Sequence, residues 1–192
     1  MPNWCSNVLD IKGSPKDLAK IKELVKGKNI HKLKGQGRIF DFNKIIPYPQ
    51  EYLDKDDAAA RLTHLMQQKA LTKEETKEAI MIKLKYNYGN DKGFYQDGYN
   101  SGGYDWCCRN WGTKWNAGDT CFSQKGGRLT YDFDTAWCSP MPVILKLSKM
   151  FPKCDINLLA SYEGGEDDEE FTIKNGLILD VVKTRNPGCE GL

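Results

Sequence analysis

Apolar and polar side chains alternate every second residue in segment after segment of this chain, and two capped amphipathic helices interrupt them at matching places. Over residues 4–12, Cys5, Leu9 and Ile11 fall on one face and Trp4, Ser6, Val8 and Asp10 on the other, because successive side chains of a strand point to opposite faces. Leu129, Tyr131 and Phe133 share a face of residues 128–136, and Ile156, Leu158, Ala160 and Tyr162 share one further on. The first helix follows the first strand. Ser14 caps it, Pro15 suits its first position, Asp17 completes a capping-box pattern, Leu18, Ile21, Leu24 and Val25 form the apolar stripe and Gly27 ends it. Ser139 and Pro140 open a second helix, with Val143, Ile144, Leu147, Met150 and Phe151 inward and Pro152 as its stop.

The remaining segments are read in the same way. Residues 38–42 form a strand with Phe40 and Phe42 on the core side, and residues 43–52, carrying Pro47 and Pro49, are irregular. Residues 57–86 form a helical hairpin. Leu62, Leu65 and Met66 stripe its first arm, and a Thr72–Glu75 cap starts a second arm striped by Thr76, Ala79, Ile80, Lys83 and Leu84. Residues 87–103 are rich in glycine and tyrosine and read as a long flexible loop. Residues 119–124 and 128–136 make a hairpin around Lys125-Gly126-Gly127, and 171–174 with 177–182 make another around Asn175-Gly176, the strongest short hairpin signal. Strand, helix, strand, repeated, is the split β-α-β order of a ferredoxin-like α+β sandwich. We therefore expect one domain over residues 1–192 with a C-terminal β-hairpin. Residues 53–103, the helical hairpin and its loop, are an insertion that covers an edge or the far face of the sheet, where Trp4 and Val8 point.

Composition removes several function classes. A net charge of +2 gives no strong overall drive toward nucleic acid. The charge is nonetheless uneven, with lysines from Lys12 to Lys34 near one end and an acidic run from Glu163 to Glu170 near the other; both read as solvated surface. No apolar run approaches the roughly 20 residues of a membrane span, and the opening MPNWCSNVLD has no signal-peptide pattern. A cytoplasmic location without membrane association is expected. The seven cysteines are odd in number and contain no CxxC pair, and the two histidines, His31 and His64, are far apart. A zinc site is not expected on that spacing. Cys107-Cys108 beside Arg109 lacks a nearby base for a nucleophilic role, and no phosphate loop or cofactor fingerprint is present.

The block YDWCCRNWGTKWNAGDTC, residues 104–121, holds three of the chain's five tryptophans. Trp106, Trp111 and Trp115 lie there among Asp105, Arg109, Asn110 and Lys114. Indoles interleaved with charges and amides make either a packed polar-aromatic junction or a recognition surface. These seven residues are the candidate binding site. Together with MPNWCSNVLDIKG, FDFNKIIPYPQEY and SYEGGEDDEEF, the block resembles the Api92-like (YubB-like) proteins of phages and plasmids, which carry a ferredoxin-like domain. The resemblance spans most of the chain, and its specific part is the tryptophan-rich string NWGTKW. It implies a mobile-element origin and an accessory role, and brings no catalytic residue with it.

Three function classes follow. The first is a non-catalytic binding protein that engages a host protein, such as a defence or regulatory component, through the tryptophan block. The second is a nucleic-acid binder using the open sheet face or the basic helix. The third is a metal-assisted phosphodiesterase built on Asp132 and Asp134, which share a strand face, with Asp105 or Asp119. The first is our expectation.

Overall fold

The computed structural model describes residues 3–27, 39–89, 95–165 and 167–185, so the basic stretch from Lys28 to Arg38 lies outside the described residues. The chain divides into two compact units. One is a sheet unit, Met1–Pro47 with Cys107–Leu192, and the other a helical unit, Tyr48–Trp106.

The sheet unit contains β1 (Trp4–Lys12), α1 (Pro15–Leu24), β2 (Gly118–Lys125), β3 (Arg128–Ala136), a helix at Met141–Met150, β4 (Asp155–Tyr162), β5 (Asp167–Lys174) and β6 (Leu177–Arg185). The six strands are antiparallel in the order β2-β3-β1-β4-β5-β6. Its first four members, with a helix after β1 and another after β3, form the ferredoxin-like sandwich, and the β5–β6 hairpin extends it. Alternation settles which face is covered. Cys5, Leu9, Ile11, Leu129, Tyr131, Phe133, Ile156, Leu158 and Ile173 are buried together with Leu18, Ile21 and Val25 of the α1 region and Val143, Ile144 and Leu147 of the later helix. The opposite face is mostly polar, Ser6 pairing with Asp134 and Ser161 and Asp10 with Thr130 and Asn157, with Trp4, Val8 and Leu159 as its apolar members, as suits an antiparallel sheet with one side toward water.

The structure moves the second strand. Residues 39 and 40 are bends, and Phe42–Lys44 is a 3-10 turn capped by Asp41, whose carboxylate accepts the Asn43 N–H at 3.0 Å. A local side-chain cap has won over strand propensity here. The apolar reading holds all the same: Phe40 stacks on Phe133 at 5.1 Å and lies 5.0 Å from Tyr131, and both Phe40 and Phe42 are fully buried. The strand that the pattern requires is β2, and β2 and β3 are consecutive.

In the helical unit, α2 (Gln50–Gln67) starts directly after Pro49, so the end of the segment expected to be irregular is helical. Pro49, at φ −59°, already has a helix-compatible φ. The following helix, α3 (Lys73–Tyr86), has its Thr72–Glu75 capping box in both directions, Glu75 N–H to the Thr72 hydroxyl at 3.2 Å and Thr72 N–H to the Glu75 carboxylate at 2.9 Å. Leu62, Leu65 and Ala79 pack with Ala59 and Tyr95. Met66, Ile80 and Leu84 are instead exposed, Leu84 at 73 %. The buried side of α3 is turned toward Ala79 and Ile82, and a small core is closed by tyrosine rather than by a second aliphatic stripe. The expected flexible loop ends in ordered structure. Tyr99–Gly103 forms a π turn, with Gly102 at φ +122°, and leads into α4 (Tyr104–Asn110), inside which the two units divide. Residues 90–94 of that loop lie outside the described residues.

Two further differences concern the C-terminal half. The helix at Met141–Met150, now α5, leaves Met150 exposed rather than inward, because Phe151 already departs from helical geometry. The acidic run is strand: Asp167–Glu170 belong to β5, with Glu169 bound to Lys183 at 2.7 Å. Asn175 and Gly176 turn the last hairpin at φ +51° and +75°. The edge strand β6 is exposed along its whole length.

Replacing Thr72 by Ala removes one half of the capping box. We expect a loss of about 1 kcal/mol, measured by urea denaturation followed in the far-ultraviolet.

Candidate functional site

Trp111 is held as a structural post. Its indole N–H donates to the Ile46 carbonyl at 2.9 Å, its ring meets Phe42 edge-on at 5.9 Å, and it is buried. Asn116, five residues on, is a hub. Its carboxamide oxygen accepts the Phe42 N–H and the Ala117 N–H, each at 2.9 Å, while its NH2 donates to Asp41 at 2.6 Å. The buried Thr113 hydroxyl donates to the Ala136 carbonyl at the end of β3. Residues 111–117 are therefore pinned at three places within the sheet unit, to the 41–46 segment and to the end of β3.

That pinning presents the next side chains outward. The Lys114 ammonium lies 4.2 Å from the Trp115 ring and 4.0 Å from the Trp137 ring, and Trp4 approaches Trp115 at 6.1 Å with its plane tilted by 44°. Three indoles and one ammonium thus gather where β1 begins and β3 ends, Trp4 pairing with Ala136 in the register. All three rings are open to solvent, Trp4 at 42 %, Trp115 at 41 % and Trp137 at 46 %. Trp137 has φ +71°. A bulky residue in the left-handed region costs about 1–3 kcal/mol. The Trp137 N–H donates to the Asn3 carbonyl at 2.9 Å, and the Trp4 N–H to the Glu163 carboxylate at 2.8 Å. The backbone beneath the rings is thereby held, and an exposed cation–π contact adds about 0.5–1 kcal/mol.

Below the cluster lies a buried polar knot. The Asn7 NH2 donates to the Cys5 carbonyl at 2.8 Å and the Thr135 hydroxyl at 2.9 Å, and the Thr135 hydroxyl lies 2.8 Å from the Cys138 carbonyl. Burial pushes the Cys5 thiol up to about 12, against weaker opposition from its hydrogen bond with Thr135. A thiol so raised stays protonated and is no nucleophile at neutral pH.

The seven residues singled out in sequence do not form one constellation. Lys114 and Trp115 belong to the exposed cluster, Trp111 is core, and Arg109 and Asn110, exposed and half-buried, end α4. Asp105 and Trp106 belong to the helical unit, where Trp106 meets Tyr48 edge-on at 5.5 Å. Sequence reasoning missed Trp4 and Trp137. The signal was present: an antiparallel β1–β3 pair brings the start of one strand to the end of the other, and a tryptophan stands at each. Asp132 and Asp134 do share the polar sheet face, but among the described residues no group of three or more His, Cys, Asp or Glu side chains could hold a metal.

The family model described as the ferredoxin-like domain in Api92-like protein matches residues 110–182. These residues are similar to the ferredoxin-like domain of Api92-like proteins. The match begins at the pinned tryptophan block and ends within β6, so Lys114, Trp115 and Trp137 fall inside the matched residues whereas Trp4 lies before them. A solved structure, that of protein api92 from Yersinia pseudotuberculosis, is similar over 97 % of this chain and 99 % of its own, with a TM-score of 0.55 at 10 % identity. At that identity the likeness speaks for the fold. No curated protein sequence matches the chain, and no described helix is long and apolar enough to cross a membrane.

Two outcomes separate post from surface. Trp111→Ala should cost about 3–5 kcal/mol, as loss of a large buried aromatic does. Trp137→Gly, which relieves the left-handed strain, should change stability by no more than about 1 kcal/mol; both are read by chemical denaturation. Because the folded-state pKa of Cys5 is raised from 9.0 to about 12, its contribution to stability is present below pH 9 and declines as pH rises toward 12. In alkylation mapped by peptide mass, exposed Cys138 should react at pH 8 while Cys5 stays protected until the protein unfolds.

Proposed function

We propose that this protein works by binding rather than by catalysis, and that the surface formed by Trp4, Trp115, Trp137 and Lys114 takes a partner protein. One observation carries the reading: three tryptophans, each more than two-fifths exposed, are gathered around one ammonium on a backbone held by hydrogen bonds. Scattered exposed apolar residues need no explanation, but a cluster of the residue type most enriched in binding hot spots does. Tryptophan supplies large contact area at small conformational cost, and the rings here are positioned before any partner arrives. The resemblance to phage and plasmid proteins supports a mobile-element setting, with a host protein in the host cytoplasm as the partner.

Base stacking on the sheet is the less favoured alternative. The polar face carries Asp10, Asp132 and Asp134 on its central strands, where a single-strand binder places aromatic rings and positive charge.

The test is affinity capture from host lysate, with nuclease, using the wild-type chain beside a Trp115→Ala/Trp137→Ala variant of equal stability. A protein held in stoichiometric amount by the wild type and lost by the variant is the expected outcome. Equal capture by both would remove the cluster as the interface, and recovery that disappears with nuclease would transfer the function to nucleic acid.

A further inference from the structure

A second surface of the sheet unit has a different chemistry. An open cleft of about 510 Å³ lies between the start of α1 and the segment that follows α5, within the roughly 300–1,000 Å³ typical of small-ligand sites. Lys16 and Lys20 line one wall, one helical turn apart on α1 and so on the same face. Lys153 lines the other, and Met150, Phe151 and Pro152 supply an apolar surface between them. Asp17 is the one acidic residue of the lining. Its carboxylate lies 2.8 Å from the Ser14 hydroxyl, which also accepts the Asp17 N–H at 3.1 Å, so both polar groups are engaged in capping α1. The positive character of the cleft therefore comes from three ammonium groups against one carboxylate, and does not depend on the helix terminus.

We propose that this cleft binds a phosphomonoester joined to a flat ring, the chemistry of a nucleoside monophosphate, either free or as the 5′ end of a nucleic-acid strand. The lysines act as mobile point charges for the phosphate oxygens. Phe151 and Pro152 supply the apolar part of the lining, against which a ring would pack. Ser14 and Asp17 of the lining are bound to one another, which leaves the three lysines as the polar groups directed to the ligand, and these serve the phosphate. This site is separate from the tryptophan cluster and does not rest on it.

Fluorescence anisotropy in low salt tests the idea, with three dye-labelled probes: adenosine monophosphate, a short oligothymidylate with a 5′ phosphate, and the same oligonucleotide with a 5′ hydroxyl. We expect the phosphorylated probes to bind and the hydroxyl probe to bind at least tenfold more weakly. For the phosphorylated oligonucleotide, log K should fall against log salt with a slope of about −1, as neutralising the charge of one terminal phosphate on a single strand requires. Lys20→Glu/Lys153→Glu, at exposed positions, should weaken binding at least tenfold with an unchanged near-ultraviolet spectrum. Trp137→Gly should leave binding as it was. Equal binding of the nucleotide and the phosphorylated strand assigns the site to free nucleotide, and preference for the strand assigns it to strand ends; each sustains the proposal. Absence of binding at millimolar protein, indifference to the 5′ phosphate, or full binding by the charge-reversed variant would overturn it. Unlabelled inorganic phosphate competing as well as the nucleotide would remove the ring from the proposal.

Discussion

A single carboxamide ties together the parts of the sheet unit that are not strand. Asn116 satisfies two backbone N–H groups with its oxygen and grips Asp41 with its nitrogen, and Asp41 in turn takes the Val25 carbonyl through its own N–H at 2.8 Å. The end of α1, the 3-10 turn and the tryptophan block thus meet through one residue. Gly27 shows how closely they meet, since a Cβ there would clash with the Asp41 side chain. Groups satisfied in such a buried network depend on one another, because an unpaired buried donor costs more than the bond that satisfied it contributed. The outward rings of Trp115 and Trp137 depend on it in turn, since Thr113 and Asn116 flank the strand exits from which they project.

Much of the sheet unit was legible in the residues, and the reason is periodic. Strands β1, β3 and β4 each alternate cleanly, and α1 carries its cap, its proline and its stripe in the expected places. What misled was the short segment at Phe40 and Phe42. Two aromatics two residues apart look like strand, and only the position of Asp41 between them, free to cap the turn that follows, distinguishes the two outcomes. The helical hairpin was readable in its cap and its register but not in which aliphatics it buries. Its core is completed by Tyr95 from beyond α3, and no local period reveals a partner that arrives from outside the helix.

The candidate site was legible in composition and illegible in membership. The tryptophan block announced that indoles mattered, yet it mixed a core post, Trp111, with a surface residue, Trp115, four positions away. Nothing in the linear string separates them. The separation comes from Thr113, whose hydroxyl bonds Ala136, and from Trp137, whose left-handed backbone turns its ring toward the Lys114 ammonium. Trp4 and Trp137 join through register, which is a property of paired strands rather than of either one.

The position of β1 in the sheet carries one more consequence. It is synthesised before every other described strand, yet both its neighbours, β3 and β4, belong to the last third of the described chain. At roughly 5–20 residues per second of synthesis, Leu9 and Ile11 wait on the order of ten seconds before Leu158 and Ile156 emerge to lie beside them. The contacts of Tyr48–Trp106, by contrast, close within that interval. A nascent chain would therefore carry a finished helical unit and an unpaired hydrophobic strand at the same time. Long-range pairing of this kind folds slowly, and it leaves β1, rather than the helices, as the segment that spends longest without its neighbours.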